Sequence, residues 1–257
     1  MQRNTSSEPV RLHEFKESGV PVIEIEDLSF GWSAGLEPLL EIDQLSIQTG
    51  EKVFIEGPSG SGKSTLLNLF AGVLVPQRGE VRVLNQTMTT RGNADRDRFR
   101  ADHIGVIFQM FNLIPYLSLT ENVMLPCRFS KQKLKKATER SGSPDQEAIR
   151  LLSALNLADH QLIRRPVTDL SVGQQQRVAA ARALIGAPDI VIADEPTSSL
   201  DAGHREAFIK LLFKECHQTG NTLIFVSHDT SLSHFFDRSL SLMTINKASR
   251  SFDTMGV

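Results

Sequence analysis

Two cysteines in 257 residues, Cys127 and Cys216, lie far apart and fit no metal-binding spacing. No disulfide framework is expected; a reducing compartment is, with both thiols as small core residues rather than reactive groups. Long apolar runs are missing as well. Nothing approaches the roughly 20 residues that cross a bilayer, so work at a membrane would require docking on another protein. The polar residues 1–8 and the mixed segment ending at Gly19 lack the apolar stretch of a secretory signal. Residues 1–20 and 247–257 are expected to be disordered tails around one domain over 21–246. Excess positive charge is absent too: 28 Lys and Arg stand against 30 Asp and Glu. Chains that sheathe nucleic acid carry a basic excess or stripe, so no nucleic-acid partner is expected.

What the chain does have is apolar sequence in short pieces. Val53-Phe54-Ile55 and the runs 104–108, 190–193 and 223–226 are continuous rather than alternating, the pattern of strands buried on both faces of a parallel sheet. Helix-period stretches separate them, such as Ala207, Phe208, Leu211 and Leu212 ahead of a stop at Gly220. Residues 22–28, 39–47 and 80–84 read instead as alternating strands of a flanking antiparallel sheet. From 111 to 168 the chain reads as loops and helices, with Ala148, Leu151, Leu152 and Leu155 on one stripe. The expected architecture is an α/β core with a mainly parallel sheet. An antiparallel β subdomain flanks it, and an α-helical subdomain over about 111–187 is inserted in it.

The strongest chemical signal is Gly57-Pro58-Ser59-Gly60-Ser61-Gly62-Lys63-Ser64-Thr65. It follows a predicted strand and opens an apolar helix expected over 66–73. Glycines let backbone N–H groups converge on one phosphate chain, and the helix start adds its dipole. Lys63 is placed to reach the β- and γ-phosphates, and Ser64 to put its hydroxyl on magnesium. Far downstream, the run 190–193 ends in Asp194-Glu195-Pro196. Paired carboxylates at the end of a buried strand are costly without a counter-charge. A magnesium ion on Asp194 would supply one, leaving Glu195 to orient and deprotonate water.

Between these halves lies Leu170-Ser171-Val172-Gly173-Gln174-Gln175-Gln176-Arg177, and after them come Ser199-Leu200-Asp201 and Val226-Ser227-His228-Asp229. That five-part order resembles the ATP-binding-cassette ATPases over about 22–246. The stretches Asn112-Leu113-Ile114-Pro115 and Glu121-Asn122-Val123 resemble the macrolide-exporter and lipoprotein-release branch. The resemblance implies ATP and Mg2+ sandwiched in a head-to-tail homodimer, with Ser171 and Gly173 donating to the γ-phosphate held by the partner's P-loop and Gln174 among the nucleotide-binding residues. It implies that Gln109 touches magnesium and water, His228 holds the γ-phosphate, Asp201 links the two sites and Trp32 stacks on adenine. It further implies a membrane permease of the FtsX/MacB-like type, and a place on the cytoplasmic face of the inner membrane. A soluble ATPase of the same superfamily is the alternative, though such factors typically carry two cassettes or a long coiled coil, absent here. A P-loop kinase or GTPase would lack the Leu-Ser-x-Gly-Gln segment.

Two local features stand apart. Val172 occupies a position where the family has Gly, so a β-branched residue is expected to resist φ > 0 and to crowd the phosphate. The basic run Lys131, Lys133, Lys135, Lys136 and Arg140 reads as a solvated face, with anionic lipid contact as the sharper alternative.

Overall fold

The computed structural model describes residues 21–33, 37–157, 163 and 165–248. The tails expected at 1–20 and 247–257 lie outside the described residues, apart from Lys247 and Ala248. Strands β1 (Pro21–Phe30), β2 (Leu40–Gln48), β4 (Arg78–Val83) and β5 (Gln86–Thr87) form an antiparallel sheet in the order β2-β1-β4-β5. Its register pairs Ile23 with Ile47, Ile25 with Leu45 and Leu28 with Ile42, so the alternating apolar residues share one buried face. A second sheet, wholly parallel, runs β6-β7-β8-β3-β9, built from β3 (Lys52–Glu56), β6 (Ile104–Ile107), β7 (Ile190–Asp194), β8 (Thr222–Ser227) and β9 (Arg238–Ser241).

The continuous apolar runs are explained by burial on both faces. Val53, Ile55, Ile192, Ile224 and Val226 join the core under the antiparallel sheet, with α1 (Lys63–Phe70) and Phe99 of α2 (Asn93–His103). Their neighbours Phe54, Val191, Ala193, Leu223 and Phe225 face the opposite core. That second core is filled by helices α3 (Leu119–Phe129), α5 (Pro144–Ala154), α6 (Val172–Leu184) and α7 (Ala202–Thr219), with Ala137 of α4 (Lys131–Ser141). Helices α3 to α6 fall between β6 and β7 in sequence, so they form the inserted helical part of the fold. The Ala148, Leu151, Leu152 and Leu155 stripe is buried there, each leucine contributing about 1.5–3 kcal/mol of transfer free energy. Serines set the starts: Ser118 with Glu121 forms a capping box on α3, and Ser130 and Ser143 cap α4 and α5. Helix α7 ends at Gly220, whose φ of 69° closes the C-terminus in the left-handed region. A last short helix, α8 (Leu242–Ile245), follows β9.

Three expectations need correction. The helix expected over 66–73 begins earlier and ends earlier, at Lys63–Phe70, because Gly62 already turns the chain at φ 98° and the last motif residues form the first helical turn. Val172 is the first residue of α6 and its φ is not positive, so the conflict expected between a β-branched residue and φ > 0 does not arise; the residue is 48% exposed. The basic run is not a solvated face throughout. Lys133 is 3% exposed and donates to the Ile104 carbonyl at 2.7 Å, and Lys136 donates to the Ala187 carbonyl. The amphipathic α4 turns these lysines toward the core while Lys131 and Lys135 stay in water. Among the described residues no helix is long and apolar enough to cross a membrane.

Candidate functional site

Strand β3 delivers the chain into the glycine loop, and the loop delivers it into α1. At Gly62 a Cβ would stand 2.9 Å from Leu40 Cδ2 on top of the positive φ, so glycine is required twice over. The start of α1 has no side-chain cap and no acidic residue in its first turn. Its free N–H groups and dipole therefore face whatever enters the loop. Ser61 Oγ is buried with no hydrogen-bond partner, an orphan that an anionic ligand in the loop would satisfy. Lys63 is buried and donates to the carbonyls of Gly57 at 2.7 Å and Pro58 at 3.0 Å.

Two strands away from β3, β7 carries Asp194 at its end. Glu195 follows at φ 47°, held by its N–H to the Val226 carbonyl at 3.0 Å. Its carboxylate lies 3.8 Å from Lys63 Nζ and 2.9 Å from His228 Nδ1. A carboxylate only accepts, so the imidazole donates in that contact. Burial pushes the Asp194 carboxyl up from its ordinary range, the adjacent Glu195 charge adds to this, and the Ser64 hydroxyl and Lys63 oppose it. A divalent cation would relieve the crowded charge, and the donor set suits magnesium: one carboxylate, the Ser64 hydroxyl and the Gln109 amide, with phosphate oxygens completing it. Among the described residues there is no cluster of three His, Cys, Asp or Glu that could hold a metal by itself.

These groups line one cleft of about 520 Å³, together with Ser59, Gly60, Thr65, Gln109, Leu39 and Trp32. Trp32 packs edge-on against Phe30 at 5.4 Å between ring centroids and remains 67% exposed, offering a free aromatic face at the mouth. Gly57, Pro58 and Ser61 belong to the same loop without being among the lining residues.

Beyond these three, four sequence-predicted residues, Ser171, Gly173, Gln174 and Asp201, lie outside both loop and cleft. Ser171 caps α6: its hydroxyl accepts from Gln174 N at 3.3 Å, and Gln174 Oε1 accepts from Ser171 N at 2.9 Å. That leaves the Ser171 hydroxyl hydrogen free for an external acceptor. Gly173 is helical, and a Cβ there would meet only Leu200 at 3.6 Å. Asp201 caps α7, accepting from His204 N at 3.0 Å.

Sequence reasoning missed the side chains that brace these segments. Arg182, buried on α6, donates to the carbonyls of Phe111 and Asn112, both in the left-handed region just beyond Gln109. Gln176, also on α6, donates to the carbonyl of Pro196 next to Glu195. No local pattern marks them, because α6 is buried nearly all round from Gln176 to Leu184 and their partners are distant in sequence.

Fold and cleft together define a P-loop nucleoside triphosphatase. The sequence model of a family described as "ABC transporter" matches residues 40–198. The lipoprotein-releasing system ATP-binding protein LolD of Xylella fastidiosa is 39% identical over 224 residues, covering 86% of this chain and 90% of that protein. The macrolide export ATP-binding/permease protein MacB of Vibrio parahaemolyticus is 36% identical, over 86% of this chain and 33% of its own length. Among solved structures, the dimeric post-hydrolysis cassette MJ0796 bound to ADP and Pi is 34% identical, with a TM-score of 0.74 over 88% of this chain and 95% of that one. This chain belongs to the ABC transporter family, as an ATP-hydrolysing, ATP-binding subunit.

Proposed function

We propose that this subunit binds ATP between two head-to-tail copies of itself and that closure of the pair drives a separate membrane permease. The carrying observation is the division of the motif residues. The cleft gathers the glycine loop, Asp194, Glu195, Gln109 and His228, whereas Ser171, Gly173, Gln174 and Asp201 face elsewhere on the same chain. A second copy would bring that second set to the nucleotide, and the dimeric form of the MJ0796 cassette supports this reading.

Within the cleft, Lys63, the α1 N-terminus and the loop N–H groups hold the β- and γ-phosphates. Ser64, Asp194 and Gln109 hold magnesium, which supplies charge neutralisation at the phosphates when bound. Glu195 takes a proton from the attacking water, and His228, donating to Glu195 from Nδ1, orients that carboxylate and meets the γ-phosphate. Trp32 covers the base. The domain spans 21–246 with the helical part at about 111–187.

The permease reading rests on a second surface. An apolar groove of about 480 Å³ opens between α2, β6, α3 and α6, lined by Val106, Phe108, Leu125, Pro126 and Phe129. Phe108 immediately precedes Gln109, so an occupant would press on the nucleotide site. Exposed apolar grooves are where partner proteins commonly dock, which supports the permease-coupled subunit over a soluble ATPase; a place on the cytoplasmic face of the membrane is part of this proposal.

The test is Glu195→Gln. The amide keeps the size of the carboxylate and loses the base, so turnover should fall by about 100-fold or more while ATP affinity holds. ATP should then shift the variant to a dimer in sizing or scattering. Unchanged turnover removes Glu195 from its role, and a strictly monomeric ATP-bound variant removes the shared site.

A further inference from the structure

Glu195 sits in a closed circuit of hydrogen bonds that leaves from its backbone and returns to its side chain. Its carbonyl accepts from Ser198 N at 3.2 Å, and the Thr197 carbonyl accepts from Leu200 N at 3.1 Å. The Leu200 carbonyl accepts from Arg205 Nε at 2.6 Å. Arg205 Nη1 then donates to Asp229 Oδ2, and Asp229 N donates to Ser227 Oγ at 3.1 Å. Ser227 Oγ donates in turn to Glu195 Oε2 at 3.4 Å, the oxygen that His228 also contacts. Arg205 is the one side chain that spans from the 197–201 turn to the 227–229 turn in this circuit. It does so from the first turn of α7, where its own N–H is bonded to the Asp201 carbonyl at 3.0 Å.

The far side of the link is itself fixed. Asp229 Oδ1 accepts from Ser231 N at 3.2 Å and from the Ser231 hydroxyl at 2.6 Å, so Asp229 has one oxygen committed to its own turn and one to Arg205. Hydrogen bonds from Ser231 and from Arg205 hold its carboxyl below the usual range. Neither Arg205 nor Asp229 lines the nucleotide cleft. Both are about three-quarters buried, with side-chain exposures of 29% and 25%.

We infer that Arg205 is a positioning residue for ATP hydrolysis: by tying Leu200 to Asp229 it fixes His228 and the Glu195 carboxylate relative to the turn that presents Asp201. This rests on the hydrolytic roles proposed for Glu195 and His228. The shape of the guanidinium matters, because Nε and Nη1 reach two acceptors on different segments in one plane. A lysine ammonium at the same place can satisfy one of them well. Free rotation of the 227–229 turn would leave the phosphate and magnesium contacts of the glycine loop, Ser64, Asp194 and Gln109 in place, since none of these lies in that turn, while spoiling the alignment of His228 and Glu195 that turnover needs.

The experiment compares full-length wild type with Arg205→Lys, Arg205→Met, Asp229→Asn and the Arg205→Met/Asp229→Asn double variant. ATP turnover is measured across a range of ATP concentrations, with thermal stability alongside. The expected result is kcat about tenfold lower in Arg205→Met and Asp229→Asn, with KM for ATP within about twofold of wild type. Arg205→Lys should be intermediate, and it keeps the test informative if Arg205→Met folds poorly. The double variant should be no slower than Arg205→Met, because both changes cut the same link. A kcat within twofold of wild type in all single variants overturns the proposal, as do losses that multiply in the double variant. An unchanged kcat with lowered thermal stability reduces Arg205 to an ordinary brace and overturns it equally. Wild-type protein reports separately on the underlying reading: active wild type beside indifferent Arg205 variants sinks this inference alone, and inactive wild type sinks the hydrolytic roles themselves.

Discussion

Two residues show how single side chains carry opposed demands. Glu195 has a left-handed backbone at φ 47°, which costs a non-glycine residue about 1–2 kcal/mol. The surrounding hydrogen bonds over-determine that conformation, as strained residues at functional sites require. Lys133 illustrates a charge forced inward. Burial lowers its pKa from an ordinary 10.5 to about 8, with Asp102, Asp189 and Cys127 pulling it back up and Lys136 pushing it further down. When the native pKa lies below the unfolded one, the ammonium costs stability wherever both states are protonated, and the cost disappears as pH rises from about 8 toward 10.5. We therefore predict that Lys133→Met gains on wild type at pH 7 and surrenders roughly 3 kcal/mol of that difference by pH 10. Cys216 is common to both proteins and cancels, and making the comparison in a Cys127→Ala background removes the thiol coupled to Lys133. Urea unfolding of the pair at the two pH values measures it, and a difference that does not move with pH contradicts a charged, buried lysine.

Elements that a local pattern could specify were legible, and those that depend on distant partners were not. The runs at 53–55, 190–193 and 223–226 announce buried strands because burial on two faces leaves no polar position. Strand β9, Arg238-Ser239-Leu240-Ser241, offers one apolar residue in four; it is an edge strand whose pairing with β3 alone defines it. In the site, the motif residues could be named because each motif is contiguous. The braces could not: Arg205 meets Asp229 across 24 positions and Arg182 meets Asn112 across 70. The basic run misled because Lys133 is buried and because Arg140, itself exposed, reaches toward two buried carboxylates. Helices α4 and α5 are joined to α7 by Glu147 and Glu215, 1% and 2% exposed, which Arg150 contacts at 2.8 and 3.0 Å and Arg140 at 3.9 Å each. Removing one member of such a network strands the other charges, typically at a cost of about 3–5 kcal/mol. Arg150→Met should accordingly lower stability by about 3 kcal/mol, toward the low end because Arg140 remains. For a chain of this size that is roughly 6–12 °C in Tm. A loss under about 1 kcal/mol would mean the helical part is held by apolar packing alone.

At the scale of the whole molecule, the decisive question is whether one catalytic site is built from two chains. A Lys63→Ala chain loses the cation of its own glycine loop but keeps the α6 N-terminus, with Ser171 capping it and Gly173 behind. A Ser171→Arg chain keeps its loop, Asp194 and Glu195 but fills the surface that would face a partner's phosphate, and loses a helix cap worth about 1 kcal/mol. In either homodimer every site lacks one half. In the mixed dimer one site is complete, with the loop from the Ser171→Arg chain and α6 from the Lys63→Ala chain. Mixing the two inactive proteins, at concentrations where dimers exchange, should restore a substantial fraction of hydrolysis. If coupled firing of both sites is needed for turnover, ATP-dependent heterodimer formation is the quantity to score. Geometry can be tested without turnover. A Ser59→Cys/Val172→Cys chain places one thiol on the exposed part of the glycine loop and one at the start of α6, where Val172 is exposed. The native thiols will not compete: both are buried, and burial raises Cys127 to about 11 and Cys216 to about 12, so neither forms thiolate near neutral pH. A disulfide should form between chains, in the presence of ATP and not without it. A crosslink confined to single chains, or one indifferent to nucleotide, would show that Ser171 and Gly173 do not complete a partner's site, and the sandwich arrangement would have to be abandoned for this protein.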